Sequence, residues 1–314
     1  MEKAAETIVK DCMRINENES VLVITDSEKR LIGDAIFEAA KKITSKASYT
    51  EIPVGKYNGE EPPENVAADM CNFDVVLMAT AKSLSHTKAR KNACEKGARI
   101  ASMPNITEDM MKRTLSADYF NITEVTEKIN SQLEGNKIRI VTEAGTDITM
   151  EMDKRHKFTD QGLYHEKGDW GNLPAGEAGM APVEGKTEGV FVVDASMAGI
   201  GKLKEPIKVI VKQGFVVDIQ GGEEALELKK MLENFNDSKV FNIAELGIGT
   251  NDKAQITGNV LEDEKVLGTA HIAFGNNTAY GGRCDAPCHL DGVFKNPTIY
   301  VDDKKIMENG KLLI

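Results

Sequence analysis

The sequence predicts an α/β domain with a mainly parallel sheet, followed by an α+β domain with mostly antiparallel strands. Two patterns carry this reading. Up to about residue 130, short β-rich runs alternate with segments of helical period, and beyond Lys137 the strands follow one another with a single convincing helix between them. In the first half the runs are Val21–Thr25, Ser48–Ile52, Val75–Ala79 and Arg99–Met103, separated by helix-period segments at roughly 28–44, 63–72, 86–97 and 107–117. Strands joined by helices of that length need crossovers, so they pair in parallel and are covered on both faces. Such sheets place ligands at the carboxyl ends of their strands, and the third run ends in the polar loop Ala79–His86.

In the second half, Lys137–Thr142 and Asp147–Met152 flank Glu143-Ala144-Gly145-Thr146, a hairpin signal. Gly189–Asp194, Ile207–Lys212, Phe215–Ile219, Lys239–Ala244 and Thr298–Val301 read as further strands, and Glu223–Asn234 as the helix. Gly221-Gly222-Glu223-Glu224 is a turn opening that helix, with acids in its first turn. We place the domains at 1–133 and 134–314, with no internal repeat.

Composition narrows the function classes. A chain of 314 residues that is 41% hydrophobic and 28% charged has the make-up of a globular protein, and its length favours two domains over one. A net charge of −11 offers no basic stripe to displace phosphate counterions, which argues against nucleic acid. No run of about 18 apolar residues is present, so no spanning helix is expected. The acidic start Met1–Glu6 is unlike a signal peptide. Five scattered cysteines suggest free thiols in a reducing compartment. The expected location is therefore the cytoplasm.

Two histidines stand in unusual company. His271 lies in Gly268-Thr269-Ala270-His271-Ile272-Ala273-Phe274-Gly275-Asn276-Asn277, and His289 in Pro287-Cys288-His289-Leu290-Asp291-Gly292. In a strand, residues two apart share a face, so His289 and Asp291 can grip one ion together. With His271, two imidazoles and a carboxylate suit zinc, iron or manganese. Such a pair also arises by chance at surface turns, but these surroundings hold little charge. Glu177, among Gly, Ala and Pro, and Glu245, at the end of a buried-looking strand, are in equally uncharged settings. A buried carboxylate needs a partner, since leaving it unpaired costs several kcal/mol. Cys284 and Cys288 lack the paired spacing of a thiolate zinc site and read as structural thiols. His156 and His165, in charged surroundings, read as surface residues. Gly247-Ile248-Gly249 lacks the third glycine and the following helix of a dinucleotide fingerprint.

The segments Asn172-Leu173-Pro174-Ala175-Gly176-Glu177, Ala244-Glu245-Leu246-Gly247-Ile248-Gly249, His271-Ile272-Ala273-Phe274-Gly275-Asn276-Asn277 and His289-Leu290-Asp291-Gly292 resemble the thermophilic-type leucyl aminopeptidase family, which includes aminopeptidases T and S. Ser85-His86-Thr87-Lys88-Ala89-Arg90, Gly97-Ala98-Arg99 and Ser102-Met103-Pro104 are similar to its N-terminal domain. The resemblance implies a homodimeric two-metal exopeptidase with Glu177, Glu245, His271, His289 and Asp291 as metal ligands. The family's tyrosine ligand falls on Thr278, and the nearest tyrosine, Tyr280, is the candidate to replace it.

The expected function is accordingly a metallo-aminopeptidase. It would hold two zinc, cobalt or manganese ions and use a metal-bridged water, with Glu177 as general base and a peptide or small molecule as substrate. Tyr164, His165 and Trp170 are candidates to line its cavity. The same family includes 2,5-dihydroxypyridine dioxygenase, which the chain also resembles. That resemblance implies the alternative, one iron(II) held by His271, His289 and Asp291 and ring cleavage by oxygen. His86 would then act as an acid or base from the N-terminal domain.

Overall fold

The computed structural model describes residues 1–152 and 157–313 and divides into two compact units, Met1–Thr123 with Asp160–Ala175, and Glu124–Thr159 with Gly176–Ile314. The predicted fold class is what it shows: a parallel sheet in the first unit and antiparallel sheets in the second. His156 lies outside the described residues.

In the first unit, strands run in the order Ala47–Ile52, Val21–Asp26, Val75–Ala79, Arg99–Ser102 and Trp170–Asn172, all parallel. Val21–Asp26, Val75–Ala79 and Arg99–Ser102 are buried throughout, which is why the sequence shows continuous apolar runs there rather than alternation. Helices Arg30–Lys41, Glu64–Met70 and Lys88–Glu95 fill the gaps between runs, and Glu108–Thr114 follows the last of them. Thr87 caps one of them by accepting a hydrogen bond from the Arg90 amide. Among the elements that went unread in the sequence are the helices Glu2–Thr7 and Tyr119–Gln132 and the short strand Trp170–Asn172.

The second unit holds two antiparallel sheets. The larger has the order Phe215–Gln220, Ile207–Lys212, Thr187–Val193, Asp147–Glu151, Lys137–Val141, Thr298–Val301, Lys304–Glu308 and Lys311–Leu312. The other runs Gly201–Lys202, Ser196–Met197, His289–Lys295, Thr269–Gly275, Ile243–Gly249, Glu177–Met180 and Lys157–Asp160. Alternate residues such as Ile207, Val209 and Val211 point inward, while Lys208 and Lys212 stay in water. Met180, Leu246, Ile248, Ile272, Phe274 and Phe294 of the second sheet join them in one core, closed by Ala225, Leu228 and Leu232 of the helix Glu223–Asn234. The expected strand at Lys239–Ala244 is corrected. Ser238–Phe241 is a 3-10 turn, and the strand begins at Ile243.

Phe191 is fully buried in this core, its ring centroid 5.7 Å from that of Phe274. Phe191→Ala should therefore cost about 3–5 kcal/mol through lost transfer energy and a residual cavity. The check is a lowered urea midpoint for loss of antiparallel-sheet signal, with wild-type metal content below the transition.

Candidate metal centre

Antiparallel register decides which side chains meet. His271 pairs with Val293 and Ala273 with Asp291, while Gly275 pairs with His289. On the other side of the same strand, Gly247 pairs with His271 and Glu245 with Ala273, after a register shift between Ile243 and Glu245. One strand further, Gly249 pairs with Glu177. Paired residues share a face and alternate residues return to it. Glu177, Glu245, His271, His289 and Asp291 thus project from one face, and Met180, Leu246, Ile248, Ile272, Phe274 and Phe294 fill the core on the other.

Space on the polar face comes from glycine. A Cβ on Gly247 would lie 2.2 Å from both Cε1 and Nε2 of His271, so the imidazole lies flat over the neighbouring strand only because position 247 has no side chain. His271 is 1% exposed, with Nε2 3.3 Å from Glu245 Oε1 and 3.4 Å from Glu177 Oε2. His289 Nε2 lies 2.9 Å from Glu245 Oε2 and 3.3 Å from Asp291 Oδ1. Its Nδ1 is 2.7 Å from the Asn276 carbonyl, which can only accept, so Nδ1 carries a proton and Nε2 is turned to the carboxylates.

Three overlapping triads among the described residues bring donor atoms within 4.8 Å of one another: Glu177, Glu245 and His271; Glu245, His289 and Asp291; Glu264, His271 and Asp291. Two observations fit a cation here. His271 Nδ1 is buried without a hydrogen-bond partner, and the Glu245 carboxylate is buried with only the two imidazoles against it. The second is electrostatic: two carboxylates 4 Å apart repel by about 4 kcal/mol at an effective dielectric of 20, so this many acids in one place require positive charge among them. A divalent ion among imidazole and carboxylate donors supplies it.

Without an ion, protons take that part. Burial alone would lower His271, but the hydrogen bond it donates to Glu245 and the charges of Glu177, Glu245 and Asp291 lift it to about 9. Burial opposes the shift at His289 as well, and Asp291 and Glu245 raise it well above its ordinary value. Against the cost of burial, the two histidines hold the Glu245 carboxyl well below the usual range. Burial, then the surrounding acids, push the Tyr280 phenol well above its usual value, so it stays neutral.

Tyr280 closes the turn Thr278–Tyr280, with its ring centroid 5.5 Å from His289 and 4.5 Å from Phe158. His86 lies in the first unit, edge-on to Trp170 at 5.8 Å, and none of the three triads includes it. Trp170 also carries the Arg90 guanidinium over its face at 3.6 Å. Tyr164 is buried, its hydroxyl 2.7 Å from the Asn172 carbonyl, and His165 is bonded through Nε2 to the Asp11 carbonyl. All five cysteines are free thiols, and Cys284 and Cys288 belong to none of the triads.

One residue the sequence did not reveal is Lys265. It is 1% exposed, with Nζ 2.5 Å from Glu177 Oε1 and 2.8 Å from Glu264 Oε1. In Leu261-Glu262-Asp263-Glu264-Lys265 it reads as part of a solvated charge run, and only tertiary contact shows it buried.

The fold carries a cluster of carboxylates and imidazoles whose chemistry suits a divalent ion, and comparison narrows the class. Residues 3–314 match the 2,5-dihydroxypyridine 5,6-dioxygenase family (NicX), and the chain belongs to that family. It is similar to the 2,5-dihydroxypyridine 5,6-dioxygenase of Pseudomonas putida KT2440, at 27% identity over 96% of this chain and 92% of the relative. The solved structure of 2,5-dihydroxypyridine dioxygenase from that organism superposes with a TM-score of 0.85 at 23% identity, covering 99% and 96% of the two chains. Aminopeptidase T from Thermus thermophilus superposes at 0.74 and 14% identity, covering 100% and 98%, and shares the fold.

These findings correct the expected function. The family and the similar relative are dioxygenases, so a hydrolase of the metallo-aminopeptidase type is overturned. The peptidase resemblance was a resemblance of scaffold. No helix among the described residues is long and apolar enough to cross a membrane.

The raised histidines give a pH prediction. Stability from a raised pKa is complete below the unfolded value of about 6.5 and is lost as pH climbs through the folded value. The metal-free protein should therefore lose thermal stability between pH 6.5 and 9, the value to which His271 is raised. Affinity for a divalent ion should rise over the same interval, because the ion displaces the imidazole protons. Calorimetric melting with and without metal, and proton release on titration in two buffers, check both halves.

Proposed function

We propose that the chain is an iron(II)-dependent dioxygenase that opens the ring of a 2,5-dihydroxypyridine. The observation that carries this reading is the match of residues 3–314 to the dioxygenase family. His271, His289 and Asp291 are the residues proposed to hold the ion, with Glu245 lying between the two imidazoles. Bound iron(II) supplies redox chemistry and open positions for oxygen and substrate. The chain's own groups do the rest. The hydrogen bond that His289 Nδ1 donates to the Asn276 carbonyl fixes the ring's tautomer and direction. Phe158 and Tyr280, packed 4.5 Å apart beside His289, offer aromatic faces to a flat heterocycle. The neutral Tyr280 phenol can donate a hydrogen bond to a substrate oxygen.

Protein loaded anaerobically with iron(II) should consume oxygen with 2,5-dihydroxypyridine, and protein loaded with zinc should not. Substitution of residues around ligands commonly costs roughly 10–100-fold in metal affinity, so His289→Ala, which removes a proposed ligand, should cost more than that and abolish turnover. Failure of the iron-loaded protein to consume oxygen with this ring would overturn the proposal.

We also propose the homodimer that the family resemblance implies. Light scattering of the purified protein should give twice the chain mass of 34.3 kDa, and a monomer mass would refute it.

A further inference from the structure

The Lys265 ammonium lies against the donor cluster, and nothing in the proposed reaction uses it. We propose that Lys265 takes the place of a second cation: seated on Glu177, its ammonium withholds that carboxylate from the bound ion and limits the centre to one ion per chain. This rests on the reading that the cluster binds a divalent ion.

The chain builds this contact deliberately. The Lys265 amide donates to the Glu262 carbonyl at 2.9 Å, and its own carbonyl accepts from the Asn251 amide at 2.8 Å, so the backbone is held on both sides. Asn251 and Val266 form an isolated parallel bridge at the same point. A Cβ on Gly249 would lie 2.2 Å from the Val266 carbonyl oxygen and 2.7 Å from the Lys265 carbonyl carbon. The loop therefore touches the strand only because position 249 is glycine. Gly249 is also the residue paired with Glu177, so the register that places the carboxylate brings the ammonium to it.

The chemistry follows from the distances. Two-ion centres hold their ions about 3.5–4 Å apart and share carboxylates between them. Glu177 is the acid available for sharing on this side, since its Oε2 lies 3.4 Å from His271 Nε2. Its Oε1, however, has the Lys265 ammonium at 2.5 Å. A divalent ion reaching that oxygen would meet a positive charge already in its coordination space, with Glu264 Oε1 engaged by the same ammonium at 2.8 Å. A merely structural ion pair makes a different forecast. Removing one partner of such a pair lowers stability by leaving a buried charge uncompensated, but it would leave the number of bound ions unchanged.

The test counts ions. Metal-free protein is saturated with manganese(II), desalted, and measured for metal per chain and for the electron paramagnetic resonance of the bound ion. Wild type should hold one ion with the signal of an isolated centre, and Lys265→Arg should match it. Lys265→Met, close in length and uncharged, should hold two, with a spin-coupled signal. Two ions in wild type, or one in a folded Lys265→Met, would overturn the proposal. If Lys265→Met does not fold, Glu177→Gln decides. It should keep one ion at wild-type affinity, and loss of the ion would show Glu177 to be a ligand and refute the role of Lys265. Failure of the dioxygenase reading would appear separately, as one ion per chain with no oxygen uptake on 2,5-dihydroxypyridine.

Discussion

Gathering several carboxylates in a protein interior is the constraint on which the second unit depends. Glu177, Glu245 and Asp291 are each at most 9% exposed, and such groups are tolerated only where positive charge stands among them. Three sources of charge meet here: the imidazoles of His271 and His289, the ammonium of Lys265, and the ion the donor set suits. The local backbone serves this arrangement. Glycine at 247 makes room for an imidazole, and glycine at 249 lets the Lys265 loop close on the strand.

Much of this was legible in the sequence, for physical reasons. Strands such as Val21–Asp26 and Val75–Ala79 are buried on both faces and so appear as unbroken apolar runs. The hairpin at Lys137–Glu151 shows alternation, because one side of its sheet meets water. Acids and histidines set among glycine and asparagine marked the metal-type residues, since uncharged surroundings seldom solvate a charge. The strand Thr269–Gly275 went unread. It is buried throughout and rich in Gly and Ala, so it has neither alternation nor strong β propensity. Lys265 was hidden by the opposite effect, because a lysine after three acids imitates a solvated surface. Hydrolysis and oxygenation could not be told apart from these residues, since one scaffold and one donor set serve both.

The alternation of the metal-facing strands carries a further consequence for how this sequence can change. Beyond the register shift in Ile243–Gly249, and throughout Thr269–Gly275 and His289–Lys295, odd-numbered positions lie on the donor face and even-numbered ones on the core, whereas Ile243, before the shift, is itself a core residue. Adding or deleting a single residue inside one of them would exchange the two sets beyond that point, turning Phe274 or Phe294 toward the donors and a carboxylate or imidazole into the hydrocarbon. Chemistry and stability would fail together. Length variation compatible with survival is thus confined to connecting loops, or to paired changes that keep parity, and the register shift at Ile243–Glu245 is the one irregularity already built into the Ile243–Gly249 and Thr269–Gly275 pairing.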